Sequence, residues 1–560
     1  MISSAIEYKV GLIIAIFLFY FFFSNLLVSF GEMLMGKPIK NYFSFLNRHV
    51  IESFSFFSGV LIFSSFTICL SYFVGLKLSF CFLVLLIIGL LIFKGRLMTL
   101  FYCNYKKVMI ILIILFLQII IALIPLPSFF ASLSLEYLNP FDGFGAIVHS
   151  LRSGNISFYL LESNSVPRVN QNIGQSLITT YPMFLLGKFP QINLIVWKAF
   201  ILYNSLSLLY GLLINFTTNS RLIFVVLTAI FFGQTGLGLT YIQTVDTGST
   251  LFFLANTDTY VCIFSFFIFY LIALYDMKVP NIFNKIILIL FGISWNFFGA
   301  QNILLALIIF VGFSLFYKKV NFWFCFSFLA ISLYFGYIFG GLFAINTRFP
   351  SSSIPGLMSV MNGNNILEFR YPVLSSFSHF EFYTVFDRVL PNNETNYYYK
   401  ILKIFIPSFF SVLIGLIFIY YLVKILKKRN SVDELYFTYI FLIITFIGLA
   451  FSSSLKIYGQ VWELSRFYYI GNYFIIISIS FVFLNVNFLN SKSKHFVRIL
   501  YFLSFFPVLY YSLFFMYNNL HGSYVSLHTN YNGNEISILS ISNRFDCLFR
   551  FTSEVGKGLK

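Results

Sequence analysis

Charged residues are scarce in this chain. Only 10% of its 560 residues are Asp, Glu, Lys or Arg, whereas 59% are hydrophobic. A soluble domain carries about 25% charged residues, so a water-facing globular surface is excluded for most of the chain. The composition instead predicts an integral membrane protein that crosses the bilayer many times.

Acidic residues and cysteines are also few. The formal net charge is +17, but the basic residues separate apolar runs and form no stripe, which argues against nucleic acid as a partner. The phosphate-loop pattern of ATPases is absent, so an ATP-driven pump is not expected. The six cysteines show no CxxC or His/Cys spacing, so neither a disulfide framework nor a zinc site is indicated. They are Cys69, Cys81, Cys103, Cys262, Cys325 and Cys547.

Long apolar runs dominate what is present. A run of roughly 17–25 apolar residues can cross a bilayer as a helix. The sequence therefore predicts an all-α polytopic membrane protein with about fourteen transmembrane helices. We place them at 10–30, 54–75, 78–93, 108–128, 191–214, 222–242, 259–275, 285–298, 303–317, 320–342, 404–423, 435–452, 467–486 and 499–517.

Lys and Arg in alternate short loops predict the orientation, because cationic loops stay cytoplasmic. The basic set is Lys37, Lys40, Arg48, Lys94, Arg96, Lys106, Lys107, Arg221, Lys278, Lys285, Lys318, Lys319, Lys424, Lys427, Lys428, Arg429, Lys492, Lys494 and Arg498. The other short loops hold only Lys77, Lys456 and Arg466. Both termini are then outside. The 79 phenylalanines and frequent Ile, Asn, Lys and Tyr match AT-rich codons, so we expect a bacterial cytoplasmic membrane.

This topology divides the chain into three parts. We predict a three-span N-terminal extension at 1–107, a membrane core at 108–517 and an outer C-terminal tail at 518–560. Two further long segments of the core, 129–190 and 343–403, lie on the outer face. Of the 19 acidic residues, the inner side keeps only Glu32, Glu52, Asp276, Asp433 and Glu434, so chemistry that needs carboxylates is expected outside.

The first long outer segment carries the most informative pattern. Asp142 is placed to cap a short helix and Gly154 to end it, and His149 and Arg152 recur along one face of that helix. A polar stretch then leads to Tyr-Pro-Met-Phe-Leu-Leu-Gly at 181–187, which is too short to span and is expected to lie in the interface.

This segment resembles the GT-C glycosyltransferases in three features. They are an acid after a spanning helix, a helix ending in Leu-Arg-Ser-Gly-Asn at 151–155, and the Tyr-Pro approach to the next span. The resemblance covers roughly 108–215. It implies a GT-C-like core that transfers a sugar from a polyprenyl-phosphate carrier, on the outer face, to a glycan, lipid or protein acceptor. Asp142 matches the position of the family's catalytic acid, whereas Gly143 stands where a second acid is often found. The three spans before the core are a further departure.

Glycosyl transfer independently requires a carboxylate that takes the acceptor's proton or positions a metal. Asp142 is our candidate for this role, and a divalent metal is compatible with it; no other cofactor is expected. His149 and Arg152 are candidates for binding the carrier phosphate. Glu463 and Arg466, in a late outer loop beside Trp462, are further candidates, because Arg can bind a phosphate with two parallel hydrogen bonds.

Two alternatives remain open. Fourteen spans also suit a transporter, including a flippase for lipid-linked sugars. Such proteins keep ionisable residues within their spans, and here the one clear case is Lys198, expected to snorkel to the outer face. A polymerase or ligase of lipid-linked polysaccharide would share both the substrates and an outer active site.

Overall fold

The computed structural model describes residues 2–42, 47–102, 104–123, 159–161, 167–169, 192–214, 279–298, 368–369 and 455–456, with isolated positions at 223, 227, 268, 271, 272, 275, 276 and 549. The helices are α1 (Ile2–Tyr42), α2 (Arg48–Val74), α3 (Leu76–Phe93), the 3-10 helix η1 (Leu97–Phe101), α4 (Tyr105–Leu123), α5 (Ile192–Ile214) and α6 (Ile282–Phe298). The strands are β1 (Tyr159–Leu161), β2 (Pro167–Val169), β3 (Glu368–Phe369) and β4 (Leu455–Lys456).

The described part of the chain is helical apart from two short strand pairs. Three of its helices are long and apolar enough to cross a membrane, over Glu7–Met35, Arg48–Leu70 and Ile195–Ile214, and two shorter apolar helices cover Lys77–Phe93 and Ile282–Ser294. These helices mark the chain as a membrane protein. They coincide with predicted spans, and α4 overlaps a sixth; the eight other predicted spans lie almost wholly outside the described residues.

Helix ends differ from the predicted spans for a local reason. The first span was expected at 10–30, but α1 covers Ile2–Tyr42, since a hydropathy window detects only the apolar middle of a helix. The second was expected at 54–75, but α2 begins at Arg48. There the Asn47 side chain accepts the Val50 N–H at 3.1 Å, which is an N-cap contact.

Helices α1 and α2 are antiparallel and pack with almost no space between their backbones. Gly31 of α1 lies against the Ser55 carbonyl, and Gly59 of α2 lies against the Leu27 carbonyl, so that a Cβ at either glycine would overlap the partner backbone. Small residues allow this close approach, which is common between membrane helices because lipid supplies little hydrophobic drive for their association.

An aromatic core joins α1, α2 and α5. Trp197 of α5 is fully buried and stacks on Tyr20 of α1 with ring centroids 4.7 Å apart. Phe56 of α2 lies 5.7 Å from the same indole, and Phe23 of α1 lies 6.1 Å from it. Rings at these separations add to the energy of burial, so the three long apolar helices form one packed unit.

Helix α3 ends in a Schellman motif. The Arg96 N–H bonds to the Leu91 carbonyl at 2.7 Å and the Gly95 N–H to the Ile92 carbonyl at 2.9 Å, which is the pairing that defines this cap. Gly95 has φ +64°, a value that favours glycine. The cap turns the chain into η1, which lies against α1.

Helix α5 packs on α1, α2 and α4. Helices α1 and α2 belong to the predicted N-terminal extension, whereas α4 and α5 belong to the predicted core. These contacts do not place a boundary, so the division at residue 107 stays a prediction. The two strand pairs, β1 with β2 and β3 with β4, are antiparallel and were not expected in an all-α protein.

Candidate functional site

The predicted site residues lie outside the described part of the chain. Asp142, His149, Arg152, Glu463 and Arg466 all fall between or beyond the described ranges, so their proximity to one another stays a prediction. The predicted outer C-terminal tail, 518–560, also lies outside the described residues except at Phe549, which is buried.

One contact does connect two predicted outer loops. Strand β3 belongs to the segment 343–403, and β4 lies ten residues before Arg466 in the sequence. In their register, Glu368 is paired with Lys456 and Phe369 with Leu455. The pairing brings together segments that are almost ninety residues apart in sequence.

The best-described polar site lies where five elements meet: the start of α2, the end of α5, η1, the start of α4 and the adjoining turns of α1. We call it the helix-end cluster. It comprises Asn25, Ser29, Glu32, Asn47, Arg48, His49, Glu52, Arg96, Thr99, Tyr102, Lys106, Lys107, Ser207 and Gly211.

Asn47 joins α2 to α5 in this cluster. Its side-chain oxygen caps α2, while its amide nitrogen donates to the carbonyl of Gly211 in α5. A Cβ on Gly211 would lie 2.8 Å from the Asn47 side-chain oxygen and 2.9 Å from the Cβ of His49. Glycine is therefore needed for the close approach of the two helices.

His49 adds a second connection between the same helices. Its Nδ1 lies 3.3 Å from the Ser207 hydroxyl, and its ring packs edge-on against Tyr210 with centroids 5.3 Å apart. Contacts from Asn47 and His49 at one end of α2, and from Phe56 to Trp197 further along, show that α2 and α5 are antiparallel.

Arg48 is held by two polar partners. Its Nε donates to Glu52 at 2.8 Å, and its Nη2 donates to the Tyr102 hydroxyl at 3.1 Å. The guanidinium also lies 5.4 Å from the centre of the Tyr102 ring. These contacts orient an exposed cation above the segment between α3 and α4.

Asn25 connects α1 to this segment and to α4. Its amide nitrogen donates to the Leu100 carbonyl at 3.1 Å and lies 3.4 Å from the Tyr102 carbonyl. Its oxygen accepts from Lys107 at 3.3 Å, and the Lys107 ammonium lies 5.8 Å from the Tyr203 ring of α5. A buried amide thereby fixes the second cation of the cluster.

A third set of contacts holds η1 on α1. The Ser29 and Thr99 hydroxyls are 2.9 Å apart, and the Thr99 hydroxyl donates to the Arg96 carbonyl at 2.7 Å. Arg96 lies 3.9 Å from Glu32. Basic residues that the loop pattern assigned to one side of the membrane are thus gathered at one end of the packed helices.

Lys198 is only 7% exposed, so its side chain is enclosed by protein. Its snorkelling to the outer face stays a prediction. Its neighbour in sequence is Trp197, whose indole faces the aromatic core. On α4, which packs on α5, Gln118 is also buried, and its amide atoms have no hydrogen-bond partner within the described residues.

The described residues contain no group of three or more His, Cys, Asp and Glu side chains that could hold a metal ion. Asp142, the acid predicted to position a divalent metal, lies outside them, so this expectation is untested. No protein-family model matches the chain, and no curated protein matches it.

Sequence reasoning missed Asn25 and Asn47. Asn25 lies inside an apolar run, where a lone amide is itself a signal, because its burial requires partners. Asn47 precedes an apolar run, as N-cap residues often do. Their contacts with Leu100 and Gly211 left no trace in the sequence pattern.

Proposed function

We propose that the chain is a membrane glycosyltransferase that moves a sugar from a polyprenyl-phosphate carrier to an acceptor on the outer face. The supporting observation is the packing of α4 on α5. These two helices flank the segment that contains Asp142, and the GT-C resemblance runs across the same stretch, roughly 108–215. The segment therefore connects two neighbouring helices of the bundle.

In the proposed reaction, the Asp142 carboxylate takes the proton from the acceptor's hydroxyl. The acceptor oxygen then bonds to the anomeric carbon of the sugar, and the bond from that carbon to the phosphate oxygen breaks. The polyprenyl phosphate leaves with the electron pair. Such a general base contributes about 10²–10⁴-fold to the rate.

The leaving phosphate needs compensating charge, and the proposed residues supply it. Arg466 and Arg152 bind its oxygens, His149 adds a further contact, and Glu463 orients Arg466. If Asp142 instead positions a divalent metal, that metal would stabilise the same phosphate. The pairing of β3 with β4 supports this arrangement, because it joins the segment 343–403 to the stretch that leads to Arg466.

The test is sugar transfer by purified Asp142→Asn protein supplied with a polyprenyl-phosphate sugar. Asn can still cap a helix but takes up no proton at neutral pH, so we expect activity to fall by about 10²–10⁴-fold. Asp246→Asn, a change of another predicted outer acid, is the matched control and should retain activity. Full activity of the Asp142 variant would reduce that residue to a cap.

A transporter is the second candidate, and the buried Lys198 favours it. An ionisable residue enclosed between membrane helices is costly and commonly marks a transport pathway, and the buried Gln118 lies on the neighbouring helix. If this candidate holds, Lys198→Gln should abolish movement of the lipid-linked sugar across proteoliposomes, while the wild type shows no sugar transfer. Sugar transfer by the wild type would favour the enzyme.

A further inference from the structure

The helix-end cluster carries a net positive charge. Its described cations are Arg48, Arg96, Lys106 and Lys107, with Lys94 two residues before Arg96, and its described acids are Glu32 and Glu52. Glu52 is bound by Arg48, and Glu32 lies beside Arg96. Lys94 and Lys106 are exposed.

Exposed apolar residues surround these charges. Met98, Phe101 and Tyr105 have more than half of their surface exposed, and the Lys106 ammonium lies 6.0 Å from the Tyr105 ring. A surface of exposed aromatic rings next to Lys and Arg is typical of the membrane–water interface, where the rings sit at the level of the headgroups.

An apolar stripe runs away from this surface along α1. Val10, Ile14, Leu18 and Phe22 recur every fourth residue and are all exposed, so they lie on one face of the helix. Phe22 contacts Phe101 edge-on, with centroids 5.7 Å apart. At 1.5 Å per residue the stripe is about 18 Å long.

We infer that this surface binds one anionic phospholipid, whose phosphate lies between Arg48 and Lys106 and whose acyl chain follows the stripe from Phe101 to Val10. Arg48 is already oriented by Glu52 and Tyr102, so little ordering is required when a phosphate arrives. The positive charge selects an anionic lipid over a zwitterionic one, and the stripe selects a lipid over a soluble phosphate. Lipid binding at this surface does not depend on the proposed transferase activity.

The experiment measures lipid binding to the full chain in detergent by native mass spectrometry. Phosphatidylglycerol is titrated in parallel with phosphatidylcholine, and glycerol phosphate serves as the headgroup without chains. We expect phosphatidylglycerol to bind more tightly than phosphatidylcholine and glycerol phosphate not to displace it at equal concentration. Equal binding of the two lipids, or displacement by glycerol phosphate, would overturn the inference.

Variants locate the site. Lys106→Gln should weaken phosphatidylglycerol binding about fivefold, the effect of removing one cation near a charged membrane surface, and Lys106→Arg should restore it. Lys77→Gln removes the same charge from an exposed lysine at the connection between α2 and α3 and should leave binding unchanged. An equal loss in the Lys106→Gln and Lys77→Gln proteins would show a non-specific charge effect and overturn the assignment.

Discussion

Asn47 and Gly211 connect the start of α2 to the last turn of α5. The Asn47 side chain caps α2 with its oxygen and donates from its nitrogen to the Gly211 carbonyl. One side chain thus fixes both a helix end and a contact with a residue 164 positions away in the sequence. The contact with Gly211 is not visible from the residue type.

Replacement of Asn47 should therefore cost more than the loss of a cap. We expect Asn47→Ala to lower the free energy of unfolding by about 2 kcal/mol, roughly half from the cap and half from the hydrogen bond to α5. Asn47→Ser keeps a capping oxygen but has no amide donor, so it should lose about half as much. Unfolding in detergent, followed by intrinsic fluorescence, measures the differences.

Asn104 is the matched control for this prediction. Its side-chain oxygen accepts the Lys106 N–H at 3.1 Å at the start of α4. Asn104→Ala should cost only about 1 kcal/mol, the usual effect of removing a cap. Equal losses for the two alanine variants would mean that the contact with Gly211 contributes nothing measurable.

Replacing two helix glycines, Gly59 and Gly89, by alanine should change the free energy of unfolding in opposite directions. Gly59 lies against the Leu27 backbone, so Gly59→Ala must push α1 and α2 apart and should destabilise the protein by about 1–3 kcal/mol. Gly89 of α3 has open space around it, so Gly89→Ala should stabilise by about 0.5–1 kcal/mol, as is usual within a helix. Stabilisation by Gly59→Ala would contradict the close packing of α1 on α2.

Gly95 tests a conformational effect without a packing effect. A Cβ at Gly95 would have nothing within 4 Å, but its φ of +64° is unfavourable for other residues by about 1–2 kcal/mol. We expect Gly95→Ala to lower the unfolding free energy by that amount and Gly95→Asn to lower it less, because Asn tolerates this conformation better. Identical stability of the two variants would argue against the cap.

Much of the fold in the described residues could be predicted from apolar run length. The helices α2, α3 and α5 follow the predicted spans at 54–75, 78–93 and 191–214 because long apolar helices need no long-range information. The pairing of Glu368 with Lys456 could not be predicted. Strands of two residues carry no alternation of polar and apolar positions, and their register depends on the tertiary structure that brings them together.

The candidate site divides in the same way. Local patterns indicate Asp142 and Arg466 as site residues. Their proposed chemistry depends on the distance between the two side chains, which no local pattern contains. The cations of the helix-end cluster were identified individually as loop residues. Their common surface, with Asn25 holding Lys107 and Tyr102 holding Arg48, results from the packing of η1 on α1.

The predicted topology can be tested with lysines at opposite ends of α3. In intact cells and a background without native cysteines, Lys77→Cys should react with an impermeant thiol reagent, and Lys94→Cys should not, because basic loops are cytoplasmic. Asn392→Cys and Lys427→Cys extend the comparison to the second half of the chain, with labelling expected only at 392. The Lys77→Cys and Lys94→Cys proteins should both react once the membrane is permeabilised. Labelling at 94 in intact cells would reverse the assignment of the outer acids.

The contact between β3 and β4 should be visible as a disulfide. Residues directly opposite in an antiparallel pair have Cα atoms about 4.5–5.5 Å apart, within the range that a disulfide bridges. The double variant Glu368→Cys, Lys456→Cys should therefore cross-link on mild oxidation.

Phe369→Cys with Lys456→Cys is the control, because a shift of one residue puts the side chains on opposite faces of the strand pair. Digestion followed by mass spectrometry identifies the linked peptides. Cross-linking of the control alone, or of neither pair, would remove the structural support for placing the segment 343–403 beside the stretch that leads to Arg466.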